Sequence, residues 1–549
     1  MIKKWKIQSD MDKMMTTATF RPTSLYSRVV LAGMMGTGKS TVARLLANYL
    51  DWDYIDTDAE IETRCGQTIN QIFAQQGEVH FRKLEKQFVC ELADRKNCII
   101  ATGGGMVVPE ENRNLLIQDS LVVHLHTNVE QLVIRLQHNT DRPLLQTSDL
   151  QNRLHNLYQE RAFVYEGLPL QIQTDDKTPE QVAQEILFFL LTGSKNLVSR
   201  HSQVHVGLNL LSQIDDCLQK SKISSPLFVL ADASVWQQFG KIWLQQLEQA
   251  TTNRTKIIVI SLPSHEKTKS MATVVKLWEK LIAAGGERSS GFLVLGGGVL
   301  GDVGGFVAST FMRGIPLIQV PTTLLAQTDS ALGGKTGINL KQTKNMVGTF
   351  YPAQHVLIDP LLLLTLPERE IRSGLAEMIK AALILDADFF AFLEENLQAI
   401  IERRLRFMLP AIAWSAQLKL NIVNEDPYEQ SGKRLLLNFG HTFGHAYEAI
   451  SRYELRHGEA VALGMILATR LAVRLGKCSP QVLQKLIALL RQAQLPTELP
   501  NFSHKTILAK IKRDKKRARR QLQFVIPLAV GQAEVISIQK ENKLLLAFD

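Results

Sequence analysis

Residues 33–40, GMMGTGKS, constrain the fold of this 549-residue chain more than any other segment. They match the spacing GxxxxGK[ST] and lie between the apolar run Arg28–Ala32 and a helical pattern that begins at Ser40. In this setting the amides of the loop and of the helix N-terminus surround phosphate groups. A glycine-rich turn without nucleotide is the alternative, but the flanking strand and helix disfavour it. The motif predicts an ATP- or GTP-binding domain with a parallel sheet.

The predicted nucleotide site uses the loop and the first residues of the helix. Lys39 would reach the β- and γ-phosphates, and Ser40 would hold Mg²⁺. The expected ATP-binding residues in this segment are Gly33, Gly36, Gly38, Lys39, Ser40 and Thr41.

The length predicts about three domains, since domains usually hold roughly 100–200 residues. Apolar runs at 98–101 and 121–125 alternate with helical patterns, and a second α/β block begins near residue 205. Its strand-like runs are 227–230, 256–260 and 292–295, and from about residue 367 the pattern is almost wholly helical. The predicted order is a disordered arm (1–27), a P-loop α/β domain (28–192), a linker (193–204), an α/β nucleotide-binding domain (205–366) and a mostly helical domain (367–549).

The net charge of +10 is concentrated in two segments. Residues 505–520 contribute +8 and residues 1–28 contribute +4, which leaves the remainder close to neutral. Such local basicity does not indicate general affinity for nucleic acid, so we interpret the run 510–520 as a solvated, anion-attracting face. The five cysteines are scattered, which argues against a disulfide framework or a cysteine zinc site and for a reducing cytoplasm. No apolar run of roughly 18 residues predicts a membrane span.

Three further segments follow the phosphate loop: YIDTD at 54–58, FRKLE at 81–85 and TGGG at 102–105. Each alone could be a helix start, a surface arginine or a turn. In this order they resemble shikimate kinase over residues 28 to about 190. The resemblance implies that Asp56 assists Mg²⁺, and it implies shikimate contacts for Asp58, Arg82, Gly103, Gly104 and Gly105.

Two arginines complete this resemblance. Arg142 lies in the lid motif RPLL and would stabilise charge on the transferring phosphoryl group, as well as binding ATP. Arg161 matches an arginine that pairs with the substrate carboxylate, although Phe163 stands where the family has proline. Arginine suits both places because its guanidinium can bind an oxyanion through two hydrogen bonds.

Residues 296–301, GGGVLG, follow a strand and contain GxGxxG, which indicates dinucleotide binding. No clear acid follows about twenty residues later, so a standard Rossmann domain is not expected. Residues 320–337, 374–380, 438–445 and 456–460 then resemble 3-dehydroquinate synthase in identity, order and spacing. This resemblance covers residues 205–549.

The histidines show how spacing and resemblance differ. His441 and His445 are four residues apart on a predicted helix, so spacing alone allows a chelating pair, with core-packed histidines as the alternative. The resemblance instead implies that Glu377, His441 and His457 bind Zn²⁺ or Co²⁺ and that His445 transfers protons. Three protein ligands leave coordination positions for substrate oxygens.

The resemblance also implies bound NAD and a phosphorylated, carboxylated seven-carbon substrate, DAHP. The implied catalytic residues are Asp329, Lys335, Lys380 and His445. The implied DAHP contacts are Arg313, Asp329, Lys335, Asn345, Lys380, Lys419, Arg434, Asn438, His445 and Lys515. The implied NAD contacts are Asp232, Glu266, Lys269, Gly297, Gly298, Asp302, Thr322 and Thr323.

The predicted function is therefore two steps of aromatic biosynthesis: phosphorylation of shikimate and conversion of DAHP to 3-dehydroquinate with loss of phosphate. We expect small-molecule substrates, no nucleic-acid or membrane partner, and a homodimer formed through the synthase half. One rival is a glycerol-dehydrogenase-like enzyme with net NAD reduction. The others are a nucleotide-gated regulator that binds nucleic acid through 505–520, and a fusion with one decayed half.

Overall fold

The computed structural model describes residues 23–24, 26–136, 150–251, 255–340, 343–452, 454–516, 522–538 and 542–548. The chain divides at Thr192 and Gly193 into two compact units, one beginning at Pro22 and one ending at Asp549. The arm expected at residues 1–27 lies almost wholly outside the described residues, and so does Arg142. For Lys515 only the backbone is described.

The first unit is built on a five-stranded parallel sheet. In spatial order its strands are Asp53–Asp56, Cys98–Ala101, Arg28–Ala32, Ser120–His126 and Leu170–Gln173. All five residues of the central strand are buried, which is typical of a parallel sheet covered on both faces. The helices are Lys39–Leu50, Thr57–Cys65, Ile69–Leu92, Glu110–Ile117, Val129–Leu136, Leu150–Glu166 and Pro179–Leu190.

The second unit begins with a larger sheet. Residues 193–197 of the strand Leu191–Leu197 pair in antiparallel fashion with the strand Gln203–Leu208. That strand and the next five are all parallel to one another. Those six, in spatial order, are Gln203–Leu208, His355–Ile358, Leu317–Pro321, Ser290–Gly296, Ser224–Asp232 and Ile257–Leu262. The helices here are Ile214–Lys220, Ala233–Ala250, Met271–Ala283 and Gly298–Thr310, and a two-stranded hairpin comprises Lys335–Leu340 and Thr343–Phe350.

Most of the segment 193–204, which we expected to be a linker, belongs to two strands, with 198–202 between them. Gly193 to Leu197 pairs with the next strand, with Gly193 opposite Leu208 and Leu197 opposite Val204. The segment is polar and contains glycine, so its composition resembles that of a coil. Strand formation depends on the neighbouring strand more than on intrinsic preference, which explains the difference.

The rest of the second unit is mainly helical, as predicted. Its helices are Glu368–Leu385, Ala387–Ile401, Leu405–Glu425, His441–Ile450, His457–Arg474, Pro480–Gln492, His504–Lys516 and Asn542–Leu545. An antiparallel pair, Leu522–Ala529 and Gln532–Ile538, packs against this helical part. The predicted fold class is thus confirmed: a P-loop α/β unit, then an α/β sheet continued by helices. Among the described residues, no helix is both long and apolar enough to cross a membrane.

Candidate active sites

The phosphate loop of the first unit turns tightly beside a neighbouring strand. Gly33 has φ 139°, and a Cβ on it would lie 2.2 Å from the backbone oxygen of Leu125. Only glycine fits both the dihedral angle and the space. Lys39 Nζ donates hydrogen bonds to the backbone oxygens of Gly33 and Met34, both at 2.9 Å. These bonds hold the ammonium group against the loop that would surround the phosphates.

The other predicted residues of the loop lie at the start of the helix. Gly36 and Gly38 have φ values of 82° and 92°, and Gly38 is the N-cap of Lys39–Leu50. Thr41 is exposed in the first helical turn. The amides at this helix end favour an anion, because the helix dipole adds to their partial positive charge.

Ser40 and Asp56 meet at the carboxyl end of the sheet. Ser40 Oγ donates a hydrogen bond to Asp56 Oδ2 at 2.9 Å, and the same oxygen accepts one from the Tyr54 hydroxyl at 3.0 Å. A hydroxyl and a carboxylate are the hard oxygen ligands that Mg²⁺ prefers, so the pair fits the ion. Burial and the nearby Asp56 carboxylate raise the pKa of Tyr54, which keeps its hydroxyl as a donor. Sequence reasoning missed Tyr54, which lies two residues before Asp56 on the same strand.

The residues expected to bind shikimate surround the glycine run. A Cβ on Gly103 would lie 2.3 Å from Asp58 Oδ1, and a Cβ on Gly105 would lie 2.5 Å from an Arg82 guanidinium nitrogen. Arg161 donates a hydrogen bond to the backbone oxygen of Gly104 at 3.0 Å. Two arginines and one carboxylate thus converge on the glycine run, and at Gly103 and Gly105 a larger residue would overlap them.

Glu85 fixes one of these arginines and was not among the predicted site residues. Its Oε2 is 2.6 Å from Arg82 NH1, and its side chain is 1% exposed, whereas Glu78 binds the same arginine from a more exposed position. Burial raises the pKa of Glu85, although Arg82 acts in the opposite direction. The available signal was the FRKLE spacing, which puts Glu85 three residues after Arg82 on one helix face.

In the second unit, the glycine run follows the strand Ser290–Gly296. Gly297 is the N-cap of Gly298–Thr310, and a Cβ on Gly297 would lie 2.9 Å from Thr323 Cγ2. Thr322 donates its backbone N–H to the Gly296 oxygen at 3.1 Å. The predicted NAD-binding glycines and threonines are therefore adjacent, at the carboxyl ends of two neighbouring parallel strands, where open α/β sheets bind ligands.

The charged residues predicted for NAD lie around this edge in separate pairs. Lys269 and Asp302 form an ion pair, and burial raises the pKa of Asp302 while Lys269 opposes it. Glu266 accepts a hydrogen bond from Asn339 Nδ2 at 2.6 Å. Asp232 caps the helix that follows the adjacent strand, accepting from the backbone N–H of Ser234 at 2.9 Å.

Glu377, His441 and His457 form a compact group. Glu377 Oε1 is 3.7 Å from His441 Nε2 and 3.4 Å from His457 Nε2, and one ligand atom from each residue lies within 4.8 Å of the others. The His445 ring is exposed, and its centroid is 5.3 Å from that of His441. His445 also forms a second group within the same limit, with Glu448 and His457. The first group is the set that the resemblance implied, and it is not the i, i+4 pair.

Glu377 is a buried carboxylate beside one ammonium group and two imidazoles. Glu377 is 2% exposed, forms an ion pair with Lys380, and its Oε1 accepts no hydrogen bond within the described part of the chain. Burial favours the neutral acid, but Lys380 and the two imidazoles outweigh it and hold the pKa of Glu377 well below its usual range. A buried carboxylate oxygen facing two imidazole nitrogens fits a divalent cation, because one carboxylate and two histidines are a common catalytic zinc set.

Glu448 supports one of these histidines and was missed from the sequence. Its Oε1 is 3.1 Å from His457 Nδ1, so His457 can present Nε2 towards Glu377. Burial opposes the charge on Glu448, but the bond to His457 holds the pKa of Glu448 at about 2. Such carboxylate–histidine pairs fix the orientation of metal-binding rings. The sequence signal was weak: a glutamate one helical turn after His445.

Glycines set the distance between the two histidine-bearing helices, His441–Ile450 and His457–Arg474. A Cβ on Gly464 would lie 1.9 Å from the backbone oxygen of Gly440. Next to His457, a Cβ on Gly458 would lie 2.1 Å from the Ser373 oxygen on the helix that carries Glu377. The backbones are therefore in direct contact around the group.

Other predicted substrate residues are held by carboxylates or backbone oxygens. Lys419 Nζ is 2.6 Å from Asp329 Oδ1, and burial lowers the pKa of Lys419 although Asp329 opposes this. Lys380 Nζ donates to the Leu437 backbone oxygen at 2.7 Å. Arg434 is 3% exposed and donates to the backbone oxygens of Pro427 and Gly333, and Lys335 forms an ion pair with Glu429.

An open pocket lies beside the histidines and is lined by Asn438, His441 and His445. Arg313 and Asn345 lie on an exposed turn and an exposed strand. No hydrogen bond or ion pair between described residues joins either of them to the group around Glu377. The structure thus gathers most of the predicted substrate residues.

The two folds and sites define a P-loop phosphotransferase unit and an α/β-plus-helical synthase unit. The shikimate kinase family model matches residues 35–191. The models of the N-terminal and C-terminal parts of 3-dehydroquinate synthase match residues 257–373 and 374–517. The chain therefore belongs to the 3-dehydroquinate synthase family and carries a shikimate kinase domain before it. It is a bifunctional enzyme of the shikimate pathway.

Individual relatives agree with this assignment. The 3-dehydroquinate synthase of Thermoanaerobacter sp. is 38% identical over 350 residues, which are 64% of this chain and 97% of the relative. That of Dictyoglomus thermophilum is 44% identical over 290 residues, 53% of this chain and 81% of the relative. Among solved structures, 2-epi-5-epi-valiolone synthase from Streptomyces hygroscopicus subsp. jinggangensis, with NAD⁺ and Zn²⁺ bound, is 29% identical with a TM-score of 0.58. The alignment covers 65% of this chain and 98% of that structure.

Proposed function

We propose that the second unit converts DAHP to 3-dehydroquinate and phosphate, and that the first transfers the γ-phosphoryl group of ATP to shikimate. The observation that carries the synthase proposal is the Glu377–His441–His457 group beside a cavity bordered by Asn438 and His445. DAHP is favoured over other sugar phosphates because relatives at 38% identity over nearly their full length are 3-dehydroquinate synthases.

In the kinase unit, the residues bind and orient the two substrates. Lys39 neutralises charge on the β- and γ-phosphates, and the pair of Ser40 and Asp56 would hold Mg²⁺. Arg82 and Arg161 bind the shikimate carboxylate beside the glycine run, and Asp58 orients the hydroxyl groups. The shikimate hydroxyl then attacks the γ-phosphorus, ADP leaves, and the hydroxyl proton is released.

In the synthase unit, Glu377, His441 and His457 would hold Zn²⁺ or Co²⁺, and the Gly297–Thr323 edge would hold NAD⁺. When bound, these groups supply positive charge beside the substrate oxygens and a temporary acceptor for one hydride. A solved relative with both NAD⁺ and Zn²⁺ bound supports this pair of cofactors. NAD⁺ is regenerated in the reaction, so the net products are 3-dehydroquinate and phosphate.

The chain's own residues control charge and protons around DAHP. Lys380 is buried between Glu377 and the Leu437 oxygen, so its ammonium is fixed beside the reacting hydroxyl groups. Lys335 and Arg434 bind the phosphate and carboxylate groups. His445 is the exposed imidazole of the cavity and moves the proton that is lost as phosphate leaves. Lys419 keeps Asp329 ionised and in place.

The proposal is tested on one purified sample of the full chain. We expect DAHP-dependent phosphate release without accumulation of NADH, and shikimate-dependent ADP formation. A glycerol-dehydrogenase-like enzyme would instead release NADH in proportion to substrate consumed, and that result would overturn the synthase proposal. A chelator removes both metals, and Mg²⁺ added afterwards should restore only the kinase.

We also propose that the enzyme works in a reducing compartment such as the cytoplasm and forms a homodimer through the second unit. All five cysteines are free thiols, which supports the first point. The homodimer is tested by sedimentation of the full chain, which should give twice the mass of one chain.

A further inference from the structure

A group of soft and borderline metal ligands lies away from the residues assigned above. His205 belongs to the strand Gln203–Leu208, Cys217 to the helix Ile214–Lys220 and His355 to the strand His355–Ile358. One nitrogen or sulfur atom from each lies within 4.8 Å of the others. None of these residues contacts DAHP, NAD or the Glu377 group in the proposed function.

The spacing of the two imidazoles suits a shared ion. His205 Nε2 and His355 Nδ1 are 3.1 Å apart, and the rings are nearly parallel, with 13° between their planes. Two nitrogens bound to tetrahedral zinc at about 2.0–2.1 Å lie roughly 3.4 Å apart. The imidazoles therefore need to separate by only a few tenths of an ångström when an ion replaces the proton that they now share.

Burial selects the kind of ion. His355 is 1% exposed and Cys217 is 4% exposed, whereas His205 is half-buried and provides access to the group. Burial lowers the pKa of both histidines, that of His355 to about 4, so both rings are neutral at pH 7 and can act as ligands. Two neutral imidazoles and a thiol match zinc or cobalt and do not match Mg²⁺ or Ca²⁺.

Two charged side chains also act on the histidines. Lys220 lowers and Asp216 raises the pKa of both rings, and these two residues form an ion pair at 2.6 Å. Burial raises the pKa of the Cys217 thiol to about 11, so a bound cation has to displace its proton. A water molecule can then fill the fourth position of a tetrahedral ion.

We propose that His205, Cys217 and His355 form a second transition-metal site of the zinc type, with residues distinct from those of the Glu377 group. Two of its ligands lie on neighbouring parallel strands, where His205 is opposite Leu357 and His355 is opposite Gln203. An ion here joins these strands to the helix that follows the first of them. The alternative is a hydrogen-bonded histidine pair that packs against a thiol and binds no metal.

Cobalt distinguishes the two metal sites because only one contains sulfur. The full chain is stripped of metal and titrated with Co²⁺, and the thiolate-to-cobalt charge-transfer band in the near ultraviolet is recorded. We expect the band in the wild-type chain and in Cys478→Ser, a control at another buried cysteine, and its loss in Cys217→Ser. The band should remain in His457→Ala, which removes a ligand of the other site.

Zinc binding provides the second measurement. We expect the wild-type chain to bind two equivalents of Zn²⁺ tightly. In Cys217→Ser the affinity for one of them should fall by at least about 100-fold, because residues that only support a ligand usually cost about 10- to 100-fold in affinity when changed. X-ray absorption of the two-zinc wild-type protein should contain a Zn–S distance of about 2.3 Å. If Cys217→Ser does not fold, His205→Asn at the half-exposed position takes its place. One zinc equivalent, no Zn–S distance and no sulfur band in the wild-type chain would overturn the proposal.

Discussion

The two reaction centres are built from different parts of the polypeptide. In the kinase unit, backbone amides and glycines form the phosphate site, and Lys39 lies against backbone oxygens. In the synthase unit, buried charged side chains such as Glu377 and Lys380 form the centre, and each depends on the other for charge balance. A backbone site tolerates changes around it, whereas a side-chain site loses its balance when one member is removed.

The largest effect should come from Lys39→Ala. Removal of the only ammonium held over the phosphate loop in the described residues should lower kinase turnover by about 1000-fold. Phosphate release from DAHP should be unchanged, because no residue of the synthase unit is altered. Both rates are measured on one folded sample, and loss of both would contradict two independent centres.

His457→Ala should have the opposite effect on the two activities, with loss of synthase turnover and retention of kinase turnover. Loss of one of the three ligands should weaken zinc binding and lower synthase turnover by more than about 100-fold. The loss should be larger than for residues that only support a ligand, whose removal costs at most about 100-fold. Kinase turnover should be retained. Zinc content and both rates are measured, and full zinc occupancy in an inactive variant would show that His457 acts in another way.

Glu448→Gln tests the supporting side chains of the synthase centre. The variant keeps the size of the side chain and removes its charge, so His457 loses its ionised partner. Zinc affinity should fall by about 10- to 100-fold, with a parallel shift in the zinc concentration needed for activity. Glu395→Gln, an exposed glutamate on the helix Ala387–Ile401, is the matched control and should bind zinc normally.

Tyr54→Phe should have the smallest effect and is the corresponding test in the kinase unit. It removes one hydrogen bond to Asp56, worth about 1 kcal/mol, so the Mg²⁺ requirement should rise about five-fold. Titration of kinase activity with Mg²⁺ measures this change. If Tyr54→Phe weakened Mg²⁺ binding as much as Glu448→Gln weakened Zn²⁺ binding, the two centres would depend equally on supporting side chains. The contrast between a backbone site and a side-chain site would then be wrong.

This contrast also explains what could be predicted from the sequence. The phosphate loop, the neighbouring strands and the helix start were predictable because one continuous motif encodes a backbone shape. The helix predicted from Ser40 begins at Lys39, and the runs predicted at 98–101 and 121–125 are strands. The strand that replaces the expected linker was missed, since its partner determines its conformation.

The contacts of the synthase centre could not be predicted from local patterns. The spacing of His441 and His445 allowed a chelating pair, and only the family resemblance pointed to Glu377, sixty-four positions before His441. The bond between Glu448 and His457 and the group around Cys217 arise from folding. The cysteines have no paired spacing, which argued against a cysteine-containing zinc site. That spacing carries no information about the two histidines near Cys217, because they lie on separate strands.

The glycine contacts between the helices have a consequence for the positions of the metal-binding side chains. Because Gly464 meets the Gly440 oxygen and Gly458 meets the Ser373 oxygen, main-chain thickness sets the width of the opening among Glu377, His441 and His457. A methyl group at either glycine would overlap a backbone oxygen, so the helices would have to move apart and carry the metal-binding side chains with them. A change at Gly464 or Gly458 would therefore disturb the ligand group without altering any ligand residue.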